Sequence, residues 1–182
     1  MFNKLTTLDA VFITLMAASG LALKPIIGPI GKLIGTLFFI PGGSISGAIY
    51  MIWPMLAILV VRQFGAASLV GLLEGVIVII TGIYGSHGIL SIFTYLIPCL
   101  VIDIIYATYS SKTNQFLHAL PTALGNMSGS LLVAHFIMHV PTAPLLFGLI
   151  PAFIFGGLGG IFAFRLYLLL IKSFPQFDKS AI

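Results

Sequence analysis

Long apolar stretches fill most of the chain, and short breaks rich in glycine, proline or polar residues separate them. A helix that crosses the hydrocarbon core of a bilayer needs about 20 mainly apolar residues. The pattern therefore predicts an all-α membrane protein built as a six-transmembrane-helix bundle, forming a single integral membrane domain. The predicted spans are 8–23, 45–61, 65–82, 89–109, 116–139 and 145–171.

The segment between the first two spans, residues 24–44, does not fit this pattern. It opens with Lys24-Pro25 and contains Pro29, Lys32 and several glycines. Its apolar part is too short and too interrupted for a comfortable span, and broken helices at membrane depth usually line cavities. We therefore predict a long first connection with a re-entrant or surface-lying piece, called the gate segment (residues 24–44) below.

Basic residues predict the orientation, because cytoplasmic loops of membrane proteins carry an excess of Lys and Arg. With both termini cytoplasmic, only Lys24 and Lys32 fall outside, and the gate segment becomes a long outer connection. The reverse orientation would place the larger basic group outside. The residues that then lie inside are Lys4, Arg62, Lys112, Lys172 and Lys179.

Composition supports the membrane assignment and excludes several functions. Of 182 residues, 59% are hydrophobic and 7% are charged, and the mean hydropathy is +1.19. A soluble domain has about 25% charged residues. We expect no room for an ATPase, no cleaved signal peptide and, with a scattered net charge of +4, no nucleic-acid partner. The single cysteine, Cys99, excludes an internal disulfide, and we expect no metal or redox role for it.

The third predicted span carries Glu74, the only glutamate in the chain. A carboxylate at that depth is costly unless it is paired, hydrated or protonated, and such residues usually face a bundle interior or a cavity. A functional role is therefore the favoured interpretation. The alternative is a protonated Glu74 that hydrogen-bonds to a neighbouring helix and only stabilises the bundle.

Other polar and aromatic residues are predicted to surround Glu74. Tyr50 and Trp53 lie one helical turn apart, and other candidates share faces of the fourth and fifth spans. Aromatic walls with a few convergent polar groups suit a small organic ligand, and a carboxylate beside aromatic rings suits a cationic one. The candidate substrate-binding residues are Glu74, Tyr50, Trp53, His87, Ser91, Tyr95, Asn126 and His135.

Alternatives to this pocket remain open. Tyr50 and Trp53 could belong to an aromatic belt at the membrane interface. His135 and His139 have the spacing of a metal-binding pair, but the sequence offers no third ligand, so we predict no metal site.

Asp103 and Arg165 both fall in the inner half of the predicted bundle, and we expect them to pair. The chain shows no nucleophile–base set, no glycine-rich phosphate loop and no cluster of metal ligands. We therefore expect neither enzyme activity nor a cofactor.

Small residues at four-residue spacing let helices approach closely in lipid. Gly125 and Gly129, and the run Gly156–Gly160, are predicted to pack inside the bundle. Ala18 and Ala22 form an Ala-x-x-x-Ala face in the first span, which could instead meet another protein.

The chain resembles the substrate-binding S components of energy-coupling factor (ECF) vitamin transporters. Six predicted spans, the Ala-x-x-x-Ala face and the long first connection carry this resemblance. Ile49-Tyr50-Met51-Ile52-Trp53, followed by Arg62-Gln63-Phe64-Gly65-Ala66-Ala67, is similar to the YkoE-type thiamine-related members. The Met-His start of the nickel/cobalt members is absent, since the chain begins Met1-Phe2-Asn3.

The resemblance implies an importer subunit in the prokaryotic cytoplasmic membrane. It would capture a vitamin or related molecule, thiamine or its precursor, from outside beneath the gate segment. Ala18 and Ala22 would dock on an ECF module made of a transmembrane coupling protein and two ATPases. The alternatives are a proton-coupled secondary transporter or channel that uses Glu74 and Asp103, and a membrane scaffold without a ligand.

Overall fold

The computed structural model describes residues 5–37, 40, 42–82, 87–108 and 114–177. Every named element within these residues is helical, which confirms the all-α prediction. Three short elements accompany the α-helices: a 3-10 turn (Gln115–His118) before α6, a π-helical turn (Val133–Ile137) after it, and a 3-10 turn (Pro175–Phe177) after α7. The α-helices are α1 (Thr7–Leu37), α2 (Gly42–Tyr50), α3 (Ile52–Val61), α4 (Ala66–Thr81), α5 (Ser91–Ala107), α6 (Ala119–Leu132) and α7 (Thr142–Ser173).

Four stretches in the described part of the chain are long and apolar enough to cross a membrane: Thr7–Leu37, Gly42–Val61, Gly88–Ala107 and Thr142–Ser173. Helix α4 is also apolar but has 16 residues, and α6 has 14. Large apolar side chains cover much of the outer surface, as expected for contact with lipid rather than water. The chain is therefore a multi-pass membrane protein, while the count of six spans stays a prediction.

Helix α1 continues through the point where the sequence predicted a break. It runs unbroken for 31 residues past Lys24, Pro25 and Pro29 to Leu37. Membrane helices tolerate proline because neighbouring groups satisfy the freed carbonyls, and the charge of Lys24 is neutralised inside the bundle rather than at a helix end. At 1.5 Å per residue α1 is about 46 Å long. In the described residues, the gate segment is thus the second half of α1, Ile40 and the start of α2 rather than a re-entrant piece.

A hydrophobic core surrounds α3. All side chains from Pro54 to Val61 are buried, and they pack with α1, α4 and α7. Arg62 ends the helix in a left-handed conformation (φ 56°), and its Nη2 donates a hydrogen bond to the hydroxyl of Tyr167 at 3.0 Å. This packed end leaves the opposite end of the bundle as the place where a cavity can form.

Glycines bring α6 and α7 into close contact, as predicted for internal packing. A Cβ at Gly156 would lie 2.6 Å from the carbonyl oxygen of Thr122, and one at Gly160 would collide with the carbonyl of His118. Gly125 and Gly129 similarly pack against Pro98 of α5. These contacts confirm that the glycines of α6 and α7 serve helix packing.

The predicted pairing of Asp103 with Arg165 is wrong. The Asp103 carboxylate accepts hydrogen bonds from the backbone N–H groups of Ala67 (3.3 Å) and Ser68 (2.8 Å) and from the Ser68 hydroxyl. It therefore caps the first turn of α4, where unpaired N–H groups and the helix dipole favour a negative charge. Arg165 is exposed on α7.

The orientation with cytoplasmic termini stays a prediction. Lys4, Lys112 and Lys179 lie outside the described residues. Lys24, which the sequence reading placed in an outer connection, is only 4% exposed. It is therefore not a surface determinant of topology, and its role lies inside the protein.

Candidate functional site

A cavity of about 460 Å³ opens between helices α1, α2, α4, α5 and α6. Its walls come from the second half of α1, both ends of α2, the first turn of α3, the middle of α4, the first half of α5 and the second half of α6. Five of the predicted substrate-binding residues line it: Glu74, Tyr50, His87, Tyr95 and Asn126. The structure thus brings together, around one partly open cavity, residues that are far apart in sequence.

Glu74 forms an ion pair with Lys24 at the wall of this cavity. Lys24 Nζ lies 2.6 Å from Glu74 Oε2, and the two side chains are only 5% and 9% exposed. A buried charge without a partner is strongly destabilising, so each residue makes the burial of the other possible. Glu74 is therefore neither unpaired nor turned toward lipid.

Two tyrosines complete the surroundings of the lysine. The ammonium of Lys24 lies 3.7 Å from the ring centroid of Tyr95 and 5.7 Å from that of Tyr50. Both distances fall within the range of cation–π attraction. The arrangement is a carboxylate and two aromatic rings around one positive charge, and the protein itself supplies that charge.

The opposite wall is held by amide and hydroxyl groups. Asn126 Nδ2 donates to the carbonyl oxygens of Ser44 (3.0 Å) and Ala152 (2.8 Å), which ties α6 to α2 and α7. The hydroxyl of Ser44 donates to Ser130 Oγ at 3.1 Å. Asn126 and Ser130 thus fix the position of α2, whose Gly43 and Ser46 also line the cavity.

Three predicted site residues do not line the cavity. Trp53 lies behind Glu74, packed against the core, and its buried Nε1 has no hydrogen-bond partner among the described residues. Ser91 accepts a hydrogen bond from the backbone N–H of His87 at 2.9 Å. His135 is exposed in the π-helical turn and meets the ring of Phe136 edge-on at 4.8 Å.

Partial burial lowers the pKa of His87 below its ordinary value. At neutral pH the imidazole is therefore uncharged, and it can offer the cavity one hydrogen-bond donor and one acceptor. Metal binding has little support: the described residues contain no group of three His, Cys, Asp or Glu side chains that could hold an ion.

Among the cavity residues that sequence reasoning missed, three have ionisable side chains: Lys24, Lys32 and Cys99. Lys24 could have been found from the requirement that a buried glutamate has a basic partner. The sequence instead predicts an outer loop for Lys24, because Pro25 is an ordinary signal for the end of a helix. Had α1 been continued, Lys24 would have been an intramembrane charge needing an acid.

The predicted docking residues lie on a different surface. Ala18 and Ala22 are exposed on α1, together with Thr14, on the side of the helix away from Gly20 and Lys24. The face is therefore accessible from outside the bundle.

Comparison with known proteins adds the family. The family model described as "ABC-type cobalt transport system, permease component" matches residues 8–129, which is more than half of the chain. The chain belongs to this family. This permease family member is thus a membrane component of an ABC-type transport system, which confirms the transport and membrane predictions. No curated protein and no solved structure matches it.

Proposed function

We propose that this permease family member is the substrate-binding S component of an ECF-type importer. It captures a vitamin or similar small organic molecule, with thiamine or its precursor as the first candidates. The observation that carries the proposal is the cavity of about 460 Å³, which combines aromatic walls with a few polar groups. Pockets for small organic ligands have volumes of about 300–1,000 Å³ and this kind of lining.

The cargo is proposed to be organic although the family description names cobalt. A cobalt ion prefers several nitrogen, oxygen or sulfur ligands arranged around one point. The described part of the chain has no such group, and the one carboxylate of the cavity is already bonded to Lys24. The YkoE-type resemblance of Ile49–Trp53 is the reason for naming thiamine or its precursor.

The gate segment is proposed to cover the ligand on the outer side. Five of its residues contribute to the cavity wall: Lys24, Gly28, Lys32, Gly42 and Gly43. Movement of the second half of α1 against α2 would open the cavity, and Pro25 and Pro29 are the points where α1 bends most readily. Ala18 and Ala22, on the outer surface of the first half, are proposed to dock on the coupling protein of the ECF module, whose ATPases supply the energy.

Binding is tested on the detergent-solubilised protein. Native mass spectrometry should reveal a co-purifying small molecule, and calorimetry with thiamine and its precursors should give a saturable, one-site isotherm. Gly43 provides a blocking variant, since it lines the cavity and a Cβ there would meet no atom within 4 Å. Gly43→Phe should weaken binding at least about tenfold, equivalent to 1.4 kcal/mol. Gly43→Ala is the matched control and should bind nearly as well as wild type.

Uptake is tested in cells that contain or lack the ATPase-bearing module. Ligand uptake that requires the module supports the proposal. Uptake that persists without it and collapses with the proton gradient would select the proton-coupled alternative. A folded protein that binds no small molecule would contradict both.

A further inference from the structure

Lys24 occupies the position that a cationic ligand would take. Its ammonium lies 2.6 Å from Glu74 Oε2 and 3.7 Å from the ring centroid of Tyr95. A carboxylate and an aromatic face are the two groups that bind an organic ammonium in a desolvated site. Both are therefore already satisfied by the protein.

The Lys24 ammonium is confined to the interior of the bundle. Its side chain is 5% exposed and projects from a continuous helix, α1. A ligand cation at Glu74 would leave this ammonium buried beside another positive charge, which is unfavourable at low dielectric. Displacement of Lys24 by a cation is thus opposed by the same burial that makes its pairing with Glu74 strong.

The remaining charge of the cavity has the same sign. Three charged side chains are found among the described residues that line it: Lys24, Lys32 and Glu74. Since Lys24 and Glu74 neutralise each other, the positive Lys32 is left to set the sign of the potential at the cavity. A cationic ligand would meet repulsion there, whereas a neutral or anionic ligand would not.

We infer that Lys24 is a tethered cation that makes this cavity select ligands without a net positive charge. The ion pair then presents the ligand with a donor and an acceptor side by side, between two tyrosine rings. This inference rests on the proposed function. It narrows the ligand class to uncharged or anionic molecules, so that an uncharged precursor of thiamine fits and thiamine, whose thiazolium is permanently charged, does not.

The test uses two probes of the same shape that differ in charge: choline and its neutral carbon isostere, 3,3-dimethylbutan-1-ol. Their affinities for wild type and for Lys24→Met are measured by ligand-observed NMR in detergent. Wild type should bind choline no better than the neutral isostere. Lys24→Met should bind choline at least about tenfold better than the isostere, because Glu74 and Tyr95 become available. Lys32→Met is the matched control, which removes a cavity charge but leaves Glu74 paired.

The double variant Lys24→Met/Glu74→Gln should lose the gain in choline affinity. That loss would show that choline binds at Glu74 in Lys24→Met. A wild-type preference for choline of tenfold or more would overturn the inference. A folded Lys24→Met that shows no gain in choline affinity would also overturn the inference. If that variant does not fold, the wild-type comparison of the two probes decides.

These outcomes are distinct from failure of the proposed function. The two probes report on the charge selectivity of the cavity whatever its natural ligand is. If no vitamin-like molecule binds wild type while Lys24→Met gains affinity for choline, the transport proposal fails and the role of Lys24 stands. If a vitamin-like cation binds wild type tightly, the transport proposal stands and the inference on Lys24 fails.

Discussion

Gly20 of α1 and Glu74 of α4 meet with no side chain between them. A Cβ at position 20 would collide with Glu74 Oε1 and would lie 3.2 Å from the carboxyl carbon and from Cδ1 of Trp53. The absence of a side chain at Gly20 is thus what allows the carboxylate to reach Lys24, one turn further along the same helix. The buried ion pair depends on a glycine that takes no part in it.

Gly20→Ala should therefore disturb the ion pair although it changes no charge. The added methyl group must displace Glu74 or separate α1 from α4, and overpacking of this kind costs about 1–3 kcal/mol. We expect a lower thermal unfolding temperature in detergent and weaker ligand binding. Gly157→Ala is the control, because its Cβ would meet no atom closer than 3.6 Å. Equal effects of the two substitutions would contradict the role of Gly20.

The ion pair itself predicts a strongly non-additive mutant cycle. Lys24→Met or Glu74→Gln alone leaves a buried polar or charged group without its partner, and breaking a buried pair costs about 3–5 kcal/mol. The double variant removes both charges and should recover much of this loss. Thermal unfolding of the four proteins measures the coupling, and additive single effects would show that the pair is not formed.

Glu74→Gln also tests ligand binding. Where the variant folds, loss of a charge-assisted hydrogen bond should weaken binding by about 1.5–3 kcal/mol. Calorimetry on the folded fraction measures this, and unchanged affinity would remove Glu74 from the ligand site.

Asp103 should prove structural rather than part of a proton relay. It accepts hydrogen bonds from the first turn of α4. At 1.5 Å per residue, that turn is about 10 Å from Glu74 along the axis of α4. Asp103→Asn should lower stability by about 1–3 kcal/mol through loss of accepted hydrogen bonds, and leave ligand affinity nearly unchanged. Arg165→Gln, at an exposed position, should change stability by less than about 0.5 kcal/mol. Comparable losses in the two variants would restore their predicted pairing.

The sequence predicted the helical, membrane-bound character because apolar length and low charge leave few alternatives. It also selected Glu74, Tyr50, His87, Tyr95 and Asn126, which line one cavity. These five residues lie together because intramembrane polar residues are rare and tend to face inward, and their part in ligand binding stays a prediction.

The sequence could not show how α1 continues. Pro25 and Lys24 are ordinary signals for the end of a helix, and only the partner on α4 makes a buried lysine acceptable there. Trp53 and His135 do not line the cavity for a related reason, since spacing along a helix gives the shared face but not which neighbour that face meets. The sequence predicted a helical position for Asp103, but its acceptance of backbone N–H groups required the start of α4 in three dimensions.

Bulky substitutions at Ala18 and Ala22 should separate binding from transport. Both residues are exposed and neither lines the cavity, so Ala18→Leu/Ala22→Leu should leave ligand affinity unchanged. If this face docks on the coupling protein, the same variant should abolish uptake, because small residues permit close helix approach. Leu33→Ala, at a side chain 67% exposed on the same helix, is the control and should retain uptake. Equal loss of binding and uptake in Ala18→Leu/Ala22→Leu would contradict the docking role.

Cys99 offers a way to follow occupancy of the cavity without any substitution. It is the only cysteine in the sequence, it is 5% exposed, and it lines the cavity beside Tyr95 and Pro98. A small uncharged thiol reagent should reach it only through the cavity, so a bound ligand should compete with the reagent. Mass action predicts that ligand at roughly ten times Kd slows the modification about tenfold. The rate is read by intact-protein mass spectrometry, with Gly43→Phe as the variant in which the ligand should no longer protect. Protection that is equal in wild type and in Gly43→Phe would mean that the ligand binds elsewhere and that the cavity beside Lys24 and Glu74 is not its site.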